Sequence, residues 1–143
     1  RRGALAVNPI LLDTNAYVAL KRGDPETLAI VQRAPSISIN SIVLGELLAG
    51  FALGTRETQN RQELELFLGS PRVTAHWIDR GTAELYATLF AGLRKAGTPI
   101  PTNDIWIAAS AIQHSLVLVS FDAHFRSVPA LRVGASLADV SRA

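Results

Sequence analysis

Apolar positions along this chain fall into two alternating patterns. Short runs at Ile10-Leu11-Leu12, Ile37-Ser38-Ile39, residues 73–78 and residues 116–119 are too brief for helices and suit buried strands. Between them the spacing turns helical. Asp13-Thr14-Asn15, all cap-forming residues, precede a helix over 16–21. Gly23 ends it, and Asp24-Pro25 opens another over 25–33, with proline near its preferred first-turn position. Asn40 or Ser41 caps a helix over 42–53. After Gly54 a far more polar helix covers 56–68, so the two read as an αα-hairpin with one solvated arm. Gly69-Ser70-Pro71 stops it. From Asp79 or Thr82 a helix runs to residue 95, with an apolar stripe of Leu85, Tyr86, Leu89, Phe90 and Leu93. Gly97, Pro99 and Pro101 break that helix, and the next starts at Asn103. A short turn around 122–125 and an edge strand at Leu131-Arg132-Val133 complete the chain.

Short strands alternating with helices predict βαβ units, hence an α/β chain with a central parallel sheet and helices on both faces. A length of 143 residues suits one domain with a single core. Residues 1–8 read as an N-terminal extension that an expression vector would account for, and 9–143 as the domain. No repeat or low-complexity tract interrupts it.

Composition narrows the chemistry more than the fold. Hydrophobic residues make up 48% and charged residues 18%, an ordinary globular balance, and no apolar run approaches the ~18 residues of a membrane span. With no cysteine, disulfides, thiolate metal sites and cysteine nucleophiles are excluded. A net charge of +2 tolerates a polyanionic partner without demanding one.

The distribution of acids is more telling. Asp13 is the one formally charged residue between Gly3 and Leu20, Glu46 the one between Ala34 and Thr55, and Asp104 the one between Ala96 and Phe121. Each long apolar segment carries one acid and no base. Asp13 follows the first strand and Asp122 the fourth, and ligands of open parallel sheets bind outside the carboxyl ends of strands. Asp104 lies in the first turn of one helix and Glu46 about one turn into another, so both would converge on that edge if their helices begin nearby. Two like charges 4 Å apart repel by about 4 kcal/mol at an effective dielectric near 20. The chain lacks soft ligands, so a hard divalent cation, Mg²⁺ or Mn²⁺, is the natural neutraliser. Such an ion activates water and stabilises a phosphoryl group during in-line displacement, which points to phosphodiester hydrolysis. Taken singly, Asp13 and Asp104 are explained about as well by helix capping and the helix dipole, and Asp122 by a turn. Glu46, with Ile42, Ala49 and Gly50 one turn away, has no such local explanation.

Four stretches, LLDTN at 11–15, SIVLGELLAG at 41–50, GTPIPTNDIWIAA at 97–109 and LVLVSFDAHF at 116–125, together resemble the PIN domain and, more narrowly, the ribonuclease toxins of the VapBC toxin–antitoxin type. The resemblance implies an α/β/α sandwich and a cytoplasmic, Mg²⁺- or Mn²⁺-dependent endoribonuclease acting on RNA. It implies Asp13, Glu46, Asp104 and Asp122 as catalytic and metal residues. Asn15 and Ser120 match polar positions that orient a carboxylate or a metal-bound water. It further implies a homodimer and a cognate VapB-like antitoxin, whose helical segment would wrap the toxin and push an arginine into the acidic site. The hairpin 42–68 is the expected seat of part of that contact.

Other readings are weaker. A histidine-based ribonuclease would draw on His76, His114 and His124, but nothing in the sequence pairs them. An aspartate-nucleophile phosphatase needs a second aspartate two residues after the first, where this chain has Asn15. A catalytically silent PIN-like module for RNA or protein binding is the principal alternative, although all four acids are retained. Arg94, Lys95 and Arg126 neighbour the motifs and are candidate phosphate contacts, as a solvated basic face would also be. Trp106, in an apolar helix, reads as core rather than a base-stacking platform, and Trp77 carries little signal either way.

Overall fold

In the computed structural model, which describes residues 6–142, five strands form one all-parallel sheet. They are β1 (Ile10–Leu12), β2 (Ile37–Asn40), β3 (Val73–His76), β4 (Val117–Val119) and β5 (Val133–Gly134), in the order β3-β2-β1-β4-β5. The chain builds outward from β1 to β3 on one side, then crosses to build β4 and β5 on the other. The direction of strand addition therefore reverses between β1 and β4, where a crevice opens at the carboxyl ends of the strands.

The helices are α1 (Thr14–Lys21), α2 (Pro25–Arg33), α3 (Ser41–Leu53), α4 (Glu57–Leu68), α5 (Arg80–Lys95), α6 (Thr102–Gln113) and α7 (Leu137–Val140), with a 3₁₀ turn at Ala123–Ser127. Side chains alternate across the sheet and so feed two cores. Leu11, Ile39 and Leu118 pack with Val43 and Leu47 of α3 and Ile105 and Ala108 of α6. Ile10, Leu12, Ile37, Val117 and Val119 pack with Ile30 of α2 and Val140 of α7 on the opposite face. This is the α/β/α sandwich expected. Ile10, Leu11 and Leu12 are wholly buried, each contributing about 1.5–3 kcal/mol, which is why this run reads as unbroken apolar sequence.

Capping matches the sequence signals. Asp24 accepts from the Thr27 N–H with Pro25 opening α2, Asn40 accepts from the Val43 N–H, and Asp79 forms a reciprocal capping box with Thr82. In α4 only Leu64 is buried, so it is the solvated arm of the hairpin.

Two boundaries move. β3 ends at His76 rather than at 78, because Ile78 donates its N–H to the Ser41 hydroxyl instead of continuing the ladder. The last strand is Val133–Gly134 rather than 131–133, since the ladder begins only where the Arg132 carbonyl accepts from the Leu118 N–H. A side chain at Gly134 would run into Asp139, so this glycine permits the close approach of α7 to β5. The sequence reading placed no helix over α7, although Ser136 and Asp139 form a capping box there.

The expected N-terminal extension falls largely on residues 1–5, which lie outside the described residues. Val7 is buried and pairs antiparallel with Ser141, and Asn8 donates two hydrogen bonds to the Val140 carbonyl.

Candidate metal centre

β1 runs directly into α1, and the junction residue Asp13 does two jobs. Its Oδ1 accepts from the Thr14 N–H at 2.8 Å, capping the helix, while Oδ2 accepts from the Ser120 hydroxyl at 2.7 Å across the β1–β4 gap. Asp13 is only 5% exposed. Ser120 in turn accepts from the Asp122 N–H at 3.0 Å, and Asn15 Oδ1 accepts from the Phe121 N–H at 3.2 Å. Asn15 also reaches Ser120 Oγ at 3.5 Å. Ser120 thus holds the Asp13 carboxylate and, together with Asn15, the turn after β4.

Glu46 comes from α3, whose start is fixed by the buried Asn40. That side chain caps Val43 and donates to Ser110 Oγ of α6 at 2.9 Å, tying the two helices together. Glu46 then receives hydrogen bonds from the Thr14 hydroxyl and, at 3.0 Å, from the Asn103 amide. Asp104 follows in the first turn of α6. His124, on the 3₁₀ turn, places Nδ1 at 3.1 Å from both Asp104 Oδ2 and Asp122 Oδ1.

All four sequence-derived acids border one open cleft of about 1140 Å³. Among the described residues no lysine or arginine lies within ion-pair distance of any of them. Burial pushes the Asp13 carboxyl above its ordinary 3.8, helped by Asp104 and Glu46 and opposed by the hydrogen bonds from Ser120 and Thr14. Asp104 is pushed the same way, first by burial and then by Asp122 and Glu46, while its contact with His124 pulls it down.

The donors fit a hard cation. One ligand atom each from Asp104, Asp122 and His124 lie within 4.8 Å of one another. Two adjacent ligands on an octahedral ion with bonds of roughly 2.1 Å stand about 3 Å apart, close to the 3.1 Å that His124 Nδ1 keeps from each carboxylate. Asp13 and Glu46 lie outside that tight group but within its field.

Sequence reasoning missed three contributors. Thr14 and Asn103 hold Glu46, and their signal was adjacency to Asp13 and Asp104. His124, weighed only as an acid–base catalyst, instead bridges two carboxylates, the signal being its place two residues after Asp122. Arg94, Lys95 and Arg126 border neither this cleft nor the groove beside it, and the Arg94 guanidinium packs over Phe90 at 4.9 Å.

The histidines need one correction: His76 and His114, which nothing in the sequence paired, stack at 3.9 Å with His76 bonded to Ser38. His114 follows α6 at the end away from Asp104, roughly 15 Å along the helix axis, so the stack is no part of this cleft. Trp106 is half-buried against Tyr86, and Trp77 is 67% exposed at the end of β3.

A profile of the PIN domain family matches residues 10–131. Ribonuclease VapC4 of Mycobacterium tuberculosis is 28% identical over 129 residues, covering 89% of this chain and 96% of its own. Ribonuclease VapC2 of Rickettsia felis is 30% identical over 126 residues, covering 85% and 92%. The crystal structure of VapBC2 from Rickettsia felis bound to a promoter DNA fragment contains a chain that superposes with a TM-score of 0.77 at 27% identity, over 88% of this chain and 97% of that one.

Proposed function

The chain belongs to the PIN domain family and, within it, to the VapC ribonucleases, and on that footing we propose that it is the endoribonuclease toxin of a type II toxin–antitoxin system. The observation that carries this reading is the convergence of Asp13, Glu46, Asp104 and Asp122 from four separate elements on one cleft, with no lysine or arginine among the described residues within ion-pair distance of them. Asp104 and Asp122, with His124, would hold Mg²⁺ or Mn²⁺. When bound, the ion supplies a lowered pKa for water and positive charge opposite the phosphoryl oxygens.

The protein's own groups do the remaining work. Asp13, fixed by Ser120 and Thr14 and raised by burial, is poised to take the proton of an attacking water at the carboxylate that faces the cleft. Glu46 is held by Thr14 and Asn103, so its charge enters the cleft in one orientation. The water oxygen bonds to phosphorus, the P–O bond opposite breaks, and the leaving alkoxide takes up a proton from solvent water, to which Asp13 later returns the one it accepted.

A cognate VapB-like antitoxin would lay a helical segment against the α3–α4 hairpin, where Leu53 and Leu66 are 91% and 79% exposed. Homodimer formation and a cytoplasmic location belong to the same reading. No helix among the described residues is long and apolar enough to cross a membrane.

The test is cleavage of a mixed cellular RNA pool by the purified chain, with Mg²⁺ or Mn²⁺, with EDTA, and as Asp104→Asn. Cutting at few sites is expected, abolished by chelation and reduced at least about 100-fold in the variant. Cutting that survives EDTA would overturn the metal mechanism. RNA bound but uncut with metal present would favour a silent binding module.

A further inference from the structure

The acid cleft alone is a poor seat for a polyanion, yet a second cavity joins it. A groove of about 560 Å³ between α1, α3 and α4 shares Thr14, Val18, Arg22, Glu46 and Gly50 with the cleft. The basic residues bordering the joined space are Lys21, Arg22 and Arg56, all exposed. Among the described residues none of them is within ion-pair distance of an acid, whereas Arg61 and Arg80 pair with glutamates and Arg72 is spent on backbone carbonyls. Lys21 is also positioned, with Nζ 5.6 Å from the Tyr17 ring centroid and 5.9 Å from that of Phe67. At the other end Phe121, between Ser120 and Asp122, borders the cleft with half its surface exposed. Phe121 belongs to neither hydrophobic core, and its exposed aromatic surface beside the carboxylates suits stacking by an unstacked base.

We propose that single-stranded RNA lies along this joined groove, a base stacked on Phe121 beside the carboxylates and the phosphates passing Arg22 toward Lys21 and Arg56. The proposal rests on the ribonuclease reading and adds the path of its substrate. It replaces Arg94, Lys95 and Arg126 as phosphate contacts. A single strand is required because only there is a base free to leave its neighbours and stack on protein.

The test measures binding of a short fluorescein-labelled single-stranded RNA of mixed sequence by anisotropy, in the non-cutting Asp104→Asn background, across a salt series. Removing all three groove cations (Lys21→Ala, Arg22→Ala, Arg56→Ala) should weaken binding at least about tenfold and flatten the salt slope by about 2, near 0.7 per lost phosphate contact. The charge-keeping set Lys21→Arg, Arg22→Lys, Arg56→Lys should restore both, which a merely misfolded variant would not allow. Phe121→Ala should weaken binding about tenfold without changing the salt slope, and Phe121→Tyr should not. Alanines at Arg94, Lys95 and Arg126 should leave binding unchanged. Equal loss from that control set, or none from the groove set, would overturn the path while leaving a chain that still cuts RNA as a nuclease. A chain that neither binds this RNA nor cuts the cellular pool would overturn both readings.

Discussion

A single buried carboxylate shows how this site sets function against stability. The proposed mechanism needs Asp13 charged, yet burial and the acids around it disfavour that charge. Asparagine would keep the cap, since its Oδ1 accepts the same Thr14 N–H, and would remove the charge. The metal-free Asp13→Asn chain is therefore expected to melt roughly 3 °C above the metal-free parent at neutral pH, about 1 kcal/mol. The sign follows from linkage. The native carboxyl sits above the unfolded value of 3.8, so between 3.8 and its raised value the native state binds more protons, and stability falls as pH rises through that window. Asp104 is shifted in the same direction. Melting curves against pH should then converge below 3.8 and separate above it. A variant that melts lower at neutral pH would mean that the Ser120 hydrogen bond outweighs the charge.

Among the elements, α3 and α6 matter most, because each delivers one acid and neither packs on the other by chance. Asn40 is wholly buried at the end of β2, and its two polar atoms are divided between the α3 cap and Ser110 of α6. Asn40→Ala would leave the Val43 N–H and the Ser110 hydroxyl without these partners, at a cost of about 2 kcal/mol. Urea unfolding should show that loss as a lower midpoint at unchanged slope. The same variant should bind Mn²⁺ more weakly although Asn40 touches no ion, because its bond to Ser110 fixes α6, which carries the proposed ligand Asp104. Unchanged Mn²⁺ affinity would separate the cap from the site. Much of this was visible beforehand: Asn40 reads as a cap from its place before an apolar helix. Its second bond, to a residue 70 positions away, does not.

For the whole molecule, the proposed ion would couple to the fold. Burial and neighbouring acids disfavour the charged forms of Asp13 and Asp104 at the sheet's switch point, and an ion that binds only the native state would relieve them. At ten times its dissociation constant such an ion adds about 1.4 kcal/mol, or roughly 3–4 °C in melting temperature. Mn²⁺ is expected to raise the melting temperature of the parent chain by that amount, and EDTA to reverse it. The double variant Asp104→Asn, Asp122→Asn should show no shift. A parent chain indifferent to Mn²⁺ would leave the acids without the neutraliser assigned to them.

By itself the sequence determined the layered α/β architecture, because burial on both faces forces unbroken apolar strands and because caps and breakers punctuate the helices locally. It also singled out Asp13, Glu46 and Asp104, since a lone charge in a long apolar segment is costly and so conspicuous. Asp122 was legible only through the set, as acids after strands are common. What the tertiary structure decided were relations between distant positions: Thr14 and Asn103 on Glu46, His124 between Asp104 and Asp122, the His76–His114 stack, and which cations border the cleft. A surface arginine carries no mark of its neighbours in the sequence, because exposure costs it nothing. Only the folded chain says which of them stand beside the acids.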